Sequence, residues 1–172
     1  MKHEATFTKD TGGRTLVVVR QFDAPLDKVW RAFTQQDILD QWWAPRPWKT
    51  ETKSLDFRAG GLWLYCMVGP NGDRHWCRVE FTAVESGKSF KASSGFCDEN
   101  GVPNPALPVM HWHTVFSATS AGSKIDVTIR FDKETDLKTI VEMGFETGFS
   151  MALGNLDELL ETNQIDRGQI IR

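Results

Sequence analysis

The sequence predicts an α+β domain in which a curved antiparallel sheet of about seven strands wraps around a long C-terminal helix. Six consecutive segments after residue 47 show the apolar–polar alternation of strands and are separated by turn signals, which is typical of antiparallel pairing. Helical periodicity occupies two short segments after the first strand and one long segment near the C-terminus. One long apolar helix must cover a face of such a sheet, so we expect the two to enclose the core.

The first third of the chain contains one predicted strand and both short helices. Residues 1–13 are expected to form a flexible lead-in, and the β-branched run after them predicts a strand over residues 14–22. Pro25 suits the first turn of a helix whose apolar residues then fall on one face. A second helix is predicted over residues 37–43, and Pro45 ends it.

The middle of the chain changes to a period of two residues, which indicates strands with one buried face. The Asn71-Gly72 pair is a strong hairpin signal between two of them. A loop rich in glycine, proline and asparagine is predicted over residues 97–108. The predicted strands cover residues 48–57, 62–69, 74–84, 89–96, 109–119 and 124–131.

The last predicted element is one long helix over residues 136–161, whose apolar residues share a face. Gly144, Gly148 and Gly154 lie inside this helix. Each costs roughly 1 kcal/mol relative to alanine in a helix interior. Glycines at such positions need a physical reason, such as close packing or a bend in the helix.

Length and composition limit the class of protein and its partners. The chain has 172 residues, so we expect a single domain over residues 14–161, followed by a polar tail over residues 162–172. The net charge of −3 comes from well-mixed acidic and basic residues, unlike the concentrated basic patch of nucleic-acid-binding proteins. The chain lacks an apolar run of the roughly 18 residues that a membrane helix needs. It also lacks an apolar signal core at the N-terminus. We therefore expect a cytoplasmic protein without nucleic-acid or membrane partners.

Four motifs, taken in order, resemble one superfamily. They span residues 16–160 and read VRQFDAPLDKVWRAFT, QWWAP, LDFRAGGLWLYCMVGPNG and GFSMALGNLDELL. Together they resemble the SRPBCC or START-like superfamily, and within it the branch related to the activator of heat-shock-protein ATPase. The resemblance implies a helix-grip fold with a cavity for apolar or amphipathic small molecules, and it implies no universal catalytic residues. Ala44 stands where family members often have glycine, so the exit from the second helix is expected to differ locally.

Aromatic and apolar side chains are expected to line this cavity. Strand alternation places Trp63 and Tyr65 on one face, and helical periodicity turns Phe145 and Phe149 towards the sheet. Small-molecule pockets use a few oriented polar contacts. Here these contacts would come from the indole N–H groups, the Tyr65 hydroxyl and His75. The alternative interpretation is that the same residues fill a solid core. The predicted lining comprises Trp42, Trp43, Trp63, Tyr65, Met67, His75, Phe81, Met110, Trp112, Phe116, Phe145 and Phe149.

Histidines and cysteines are the candidates for chemistry. His75 shares the parity of the inner face, where an imidazole could orient a ligand or move a proton near neutral pH. Alternation places His111 and His113 on the outer face; if that parity is reversed, they face the cavity and become its leading acid–base candidates. No third ligand converges on this pair, so no metal site is predicted. The three cysteines, which include Cys77, are odd in number and lack CxxC spacing, so free thiols are expected.

We expect a cofactor-free protein that binds a small hydrophobic or aromatic molecule, and two alternatives remain open. A cyclase- or hydrolase-like enzyme would need an acid–base group inside the cavity, for which His75 and Tyr65 are the candidates. A chaperone-interacting module is the other alternative, because the motifs resemble the chaperone-activator branch. In that co-chaperone a separate N-terminal domain shares the contacts with the chaperone. Here only about a dozen residues precede the first predicted strand, so we expect that domain to be missing. The sequence also leaves a homodimer open.

Overall fold

One eight-stranded antiparallel sheet and four helices make up the computed structural model, which describes residues 3–10 and 12–162. The strands are β1 (Thr6–Lys9), β2 (Thr15–Phe22), β3 (Lys49–Leu55), β4 (Leu62–Val68), β5 (Arg74–Glu85), β6 (Ser89–Cys97), β7 (Met110–Ala118) and β8 (Ser123–Phe131). The helices are α1 (Leu26–Thr34), α2 (Gln36–Trp42), α3 (Glu134–Glu142) and α4 (Phe145–Glu161). None of the helices in this part of the chain is long and apolar enough to cross a membrane.

The strands follow the order β1-β2-β8-β7-β6-β5-β4-β3 across the sheet. From β3 to β8 each strand pairs with the next one along the chain, as the tight turn signals predict. The first predicted strand, β2, joins this meander through β8, with Val18 opposite Val127. The predicted α+β class, with an antiparallel sheet and a long C-terminal helix, is confirmed.

Strand β1 lies in the segment that we expected to be a flexible lead-in, so that expectation is wrong for Thr6–Lys9. These residues pair with β2, with Thr8 opposite Val17. Asp10 stabilises the connection, because its Oδ1 accepts hydrogen bonds from the backbone N–H groups of Arg14 (3.1 Å) and Thr15 (3.2 Å). The sequence signal is weak because β1 is short and only one of its residues is even partly buried. The predicted polar tail lies outside the described residues, apart from its first residue.

The prediction of one long helix over residues 136–161 is wrong, because this segment forms two helices, α3 and α4. Gly144 separates them with a φ of 89°, a left-handed conformation that glycine adopts without the steric penalty of a side chain. Its N–H donates to the carbonyl oxygen of Val141, and its own carbonyl accepts from the N–H of Gly148 in the first turn of α4. Of the three glycines that required a reason, Gly144 therefore marks the bend.

Polar contacts attach helix α4 to strand β2 and to the end of helix α2. Asp157 of α4 forms an ion pair with the buried Arg20 of β2. Asn155, also buried, donates hydrogen bonds from Nδ2 to the carbonyl oxygens of Ala44 (3.0 Å) and Trp42 (3.4 Å). These contacts hold the C-terminal half of α4 against β2 and the end of α2. The N-terminal half, which follows Gly144, lies over the cavity described next.

Candidate functional site

A cavity of about 290 Å³ lies between the sheet and the helices α3 and α4. Strands β4 to β7 supply most of its sheet side, and the α3–α4 junction with the start of α4 supplies the helix side. Phe33 of α1, Leu39 of α2 and Trp43, just after α2, complete the wall. Most of the surface that these residues present to the cavity is apolar. The sheet and helix therefore enclose a space, as the helix-grip resemblance implies.

Several lining residues that are partly open to solvent lie at one end of the cavity. Met67 at the end of β4, Phe96 at the end of β6 and Met110 at the start of β7 are only partly buried. Met143, which is 53% exposed, and Gly144 lie opposite them at the α3–α4 junction. The end of β4, the end of β6 and the start of β7 lie at the same edge of the antiparallel sheet, and we call this end of the cavity its mouth.

Aromatic rings meet edge to face along the inner wall. The ring of Trp43 lies 5.5 Å from that of Trp63 and 6.0 Å from that of Phe149, measured between centroids. Trp112 lies 5.7 Å from Phe149 and 5.9 Å from Phe145. Such edge-to-face contacts give each ring a preferred orientation, which makes the wall a shaped surface rather than a loose apolar lining.

Nine of the twelve predicted residues line the cavity in the structure. They are Trp43, Trp63, Tyr65, Met67, Phe81, Met110, Trp112, Phe145 and Phe149. Their position follows from strand alternation and helical periodicity, which decide the face that each side chain takes. Their role in binding a ligand stays a prediction.

The other three predicted residues lie elsewhere. Trp42 is fully buried beneath the cavity wall, and its indole N–H donates to the carbonyl oxygen of Ala32 (2.9 Å). Phe116 is buried against Trp30, 5.0 Å between ring centroids, deeper along β7 than the cavity reaches. His75 has the inner parity but is exposed beside Trp48, 5.3 Å between ring centroids, because it lies at the outer end of β5. Parity predicts the face of a residue and not its depth along the strand.

His111 and His113 are absent from the cavity lining, as the alternation of β7 predicts. His111 instead contacts the Ser93 hydroxyl through Nδ1 (3.0 Å) and the Asp132 carboxylate through Nε2 (3.1 Å). Among the described residues, no three potential metal-ligating side chains come together. All three cysteines are free thiols. The reversed parity, which would have made the two histidines acid–base candidates, is wrong.

The indole N–H groups that we expected to contact a ligand are already used within the protein. Trp43 donates to the hydroxyl oxygen of Tyr65 (2.9 Å), and Trp112 donates to that of Ser94 (2.8 Å). Trp63 donates to Thr52 (3.0 Å), which lies on β3 behind the wall. The three indoles are therefore fixed in orientation and present rings, rather than N–H groups, to the cavity.

Tyr65 and Cys77 are the titratable groups among the lining residues that the structure describes. Burial raises the pKa of the Cys77 thiol to about 12. Burial also raises the pKa of the Tyr65 hydroxyl well above its usual value of 10. Both groups are therefore uncharged near neutral pH, and neither is a thiolate or phenolate nucleophile there.

Several lining residues were not predicted. Phe90, Ala92, Ser94 and Phe96 alternate along β6 and all face the cavity, but this strand gives a weak signal because serine and glycine interrupt it. Strand alternation does place Thr114 on the inner face of β7 with Met110 and Trp112, but the predicted lining does not include it.

Comparisons with known proteins agree with this architecture. The family described as Activator of Hsp90 ATPase homolog 1-like protein has a sequence model that matches residues 23–161. No curated protein matches the chain. Three similar solved structures are proteins from Mycobacterium smegmatis, Arthrobacter aurescens and Nitrosomonas europaea. The first is 29% identical with a TM-score of 0.83, over 91% of this chain and 96% of that one. The second is 27% identical with a TM-score of 0.85, over 91% of both chains. The third is 27% identical with a TM-score of 0.78, over 90% of this chain and 98% of that one.

Proposed function

We propose that this chain, which belongs to the family of Activator of Hsp90 ATPase homolog 1-like proteins, binds a small hydrophobic or aromatic molecule in its internal cavity. The fold is compatible with ligand binding in a hydrophobic cavity. The chemical nature of the wall supports a ligand whose own surface is apolar or aromatic. Rings, aliphatic side chains and thioethers favour a guest that brings the same kind of surface.

The observation that carries the proposal is the volume left between two well-packed layers. Protein interiors are normally packed to the density of organic crystals, with few voids larger than a water molecule. Here the core around Leu16, Val18 and Ile125 is completely buried, whereas about 290 Å³ beside it is unfilled. An empty apolar cavity forfeits contacts on its walls, so a guest that fills it would stabilise the fold.

Catalysis is less well supported than binding. The titratable groups of the described lining have raised pKa values, so neither gains nor loses a proton readily near pH 7. His75, the other acid–base candidate, lies outside the cavity. A cyclase- or hydrolase-like reaction would therefore lack, among the described lining residues, a group that ionises near neutral pH.

A panel of apolar compounds, read by thermal shift, tests the proposal. Fatty acids, sterols, flavonoids, polyketides and fused-ring aromatics are screened against the wild-type chain and the Ala92→Phe variant. Ala92 lines the cavity, so a ring at this position occupies the space of the guest. We expect compounds that raise the melting temperature of the wild type, and no rise with Ala92→Phe.

Ala83→Phe is the matched control, because Ala83 is exposed on the neighbouring strand β5. It should respond to ligands like the wild type. If Ala92→Phe does not fold, Gly148→Leu fills the same cavity from α4, where only Pro45 Cγ lies close, at 3.8 Å from a new Cβ. A panel without a single stabilising compound, or equal shifts in the filled and unfilled chains, would refute the proposal.

The family description favours one second candidate function, activation of the Hsp90 ATPase. Such a role would use the protein surface, whereas ligand binding uses the interior. The ATPase rate of purified Hsp90, with and without excess of this chain, tests it. Stimulation that survives in Ala92→Phe would support a surface role, and an unchanged ATPase rate would exclude it.

A further inference from the structure

The cavity wall is uncharged. Among the residues that the structure describes, its lining contains no Asp, Glu, Lys, Arg or His. Tyr65 and Cys77 stay protonated at neutral pH because burial raises the pKa of both. A carboxylate or ammonium group placed inside would lose its hydration and find no counter-charge. The wall therefore favours a guest without charge.

One polar group of the wall has no partner. Thr114 is only 2% exposed and lines the cavity, and its hydroxyl makes no hydrogen bond within the described part of the chain. Its neighbours in register, Phe90 on β6 and Val127 on β8, have no polar side-chain atom that could pair with it. The Thr114 oxygen is not among the fully enclosed unpartnered atoms of the described residues, as the Thr50 oxygen is, so it is open to the cavity space. A hydroxyl group inside a protein is nearly always hydrogen-bonded, because an unpaired one costs free energy. The Thr114 hydroxyl is therefore a vacant hydrogen-bonding position in a largely apolar wall.

The other two hydroxyl groups of the lining each already accept one hydrogen bond. The oxygen of Tyr65 accepts a hydrogen bond from Trp43 at 2.9 Å, and that of Ser94 accepts from Trp112 at 2.8 Å. Both hydroxyls orient an indole ring. Thr114 lies four residues along β7 from Met110, which borders the mouth, so a group bound to Thr114 sits inside the cavity and away from solvent.

We infer that the guest is a neutral aromatic molecule that carries a hydroxyl group, and that Thr114 binds this hydroxyl. The inference rests on the proposed function, since it assigns the ligand class of the same cavity. A hydroxyl group can donate and accept, as the threonine hydroxyl does, so one pairing satisfies both groups. A cavity of about 150 Å³ holds benzene, and this one is about 290 Å³, so two fused rings suit its volume.

Three probes that share a ring system but differ in one group test the inference. Affinities of naphthalene, 2-naphthol and 2-naphthoate for the wild-type chain are measured at pH 7 by equilibrium dialysis. We expect 2-naphthol to bind about fivefold to tenfold more tightly than naphthalene, because it pairs with Thr114. We expect 2-naphthoate, which is ionised at this pH, to bind at least about 100-fold more weakly than 2-naphthol.

Thr114→Val removes the hydroxyl at nearly constant volume. The variant should bind naphthalene as well as the wild type does, and its affinity for 2-naphthol should fall to that for naphthalene. Thr50→Val is the matched control. Thr50 is 5% exposed, its hydroxyl is unpartnered and it lies outside the cavity lining. This variant should keep the wild-type affinities for all three probes.

The outcomes separate the inference from the proposal on which it rests. Equal wild-type affinities for naphthalene and 2-naphthol, undiminished 2-naphthol binding by Thr114→Val, or tight binding of 2-naphthoate would each overturn the inference and leave the cavity as a binding site. If none of the three probes binds, the proposed function fails for ligands of this size, and the inference fails with it.

Discussion

Tyr65 and Cys77 show how burial controls chemistry at single residues. The two side chains are opposite each other on β4 and β5 and are both buried in the cavity wall. Desolvation is the largest cause of the raised pKa of each group. An acid whose pKa is higher in the folded than in the unfolded state stabilises the fold only while both states are protonated.

The free energy of unfolding should therefore fall at alkaline pH. The Cys77 thiol ionises near 9 when unfolded and near 12 when folded, so the unfolded state binds fewer protons between those pH values. This thiol alone contributes a loss of up to about 1.4 kcal/mol per pH unit in that window. Urea unfolding of wild type and Cys77→Ala, from pH 8 to pH 11, measures it. The variant should lose less stability with pH; parallel curves would contradict the assignment. Cys97→Ala, which removes a less buried thiol, is the control.

The sequence correctly predicts which face of a strand or helix a side chain occupies. It does not predict how far along the strand, towards solvent or towards the core, that side chain lies. Alternation and helical periodicity identify Trp63, Trp112 and Phe149 as inward, because those patterns are properties of the backbone. The same reasoning assigned His75 to the cavity, although it lies at the exposed end of its strand. The vacant hydroxyl of Thr114 is visible only once its neighbours on β6 and β8 are known.

Among the secondary-structure elements, the break between α3 and α4 shapes the helix side of the cavity, because residues of this junction line it. Gly144 adopts a φ of 89°, and no neighbouring atom lies within 4 Å of the position that a Cβ would take, so conformation and not space requires glycine there. The sequence predicts that a glycine in this helix has a reason. It could not distinguish Gly144 from Gly154, because both sit in the same apolar periodicity.

Substituting these two glycines should change stability in opposite directions. Gly144→Ala places a side chain in a left-handed conformation and should cost about 1–2 kcal/mol. Gly154→Ala, inside α4 and also without close neighbours, should gain up to about 1 kcal/mol through helix propensity. Urea denaturation of both variants measures the difference. Stabilisation by Gly144→Ala would mean that α3 and α4 can form one continuous helix.

The contact between α4 and β2 gives a second prediction for elements. Asp157→Asn leaves the Arg20 guanidinium, 3% exposed, without its counter-charge and should destabilise the fold by about 3–5 kcal/mol. Glu158→Gln is the adjacent control: its partner Arg46 is 58% exposed, so the loss should stay below about 1 kcal/mol. Equal losses in chemical denaturation would show that the Arg20–Asp157 pair does not anchor α4.

For the whole molecule, the order of strands and helices could be predicted from the sequence. Whether the interior is filled or contains a cavity could not. Turn signals such as Asn71-Gly72 determine antiparallel neighbours, so the meander from β3 to β8 follows from local sequence. The additional strand β1 forms by pairing with β2, and the sequence of a four-residue segment does not predict such pairing. Whether aromatic side chains fill or line an interior depends on the distance between sheet and helix, and no local pattern encodes that distance.

A crystal structure of the chain grown with 6-bromo-2-naphthol would show whether the cavity holds a hydroxylated aromatic ligand, because bromine can be located by its anomalous scattering. We expect one bromine peak inside the cavity bounded by Trp43, Trp112 and Phe149, with the ligand oxygen within hydrogen-bonding distance of Thr114 Oγ1. An interior without a bromine peak, closed by the protein's own side chains, would contradict this expectation.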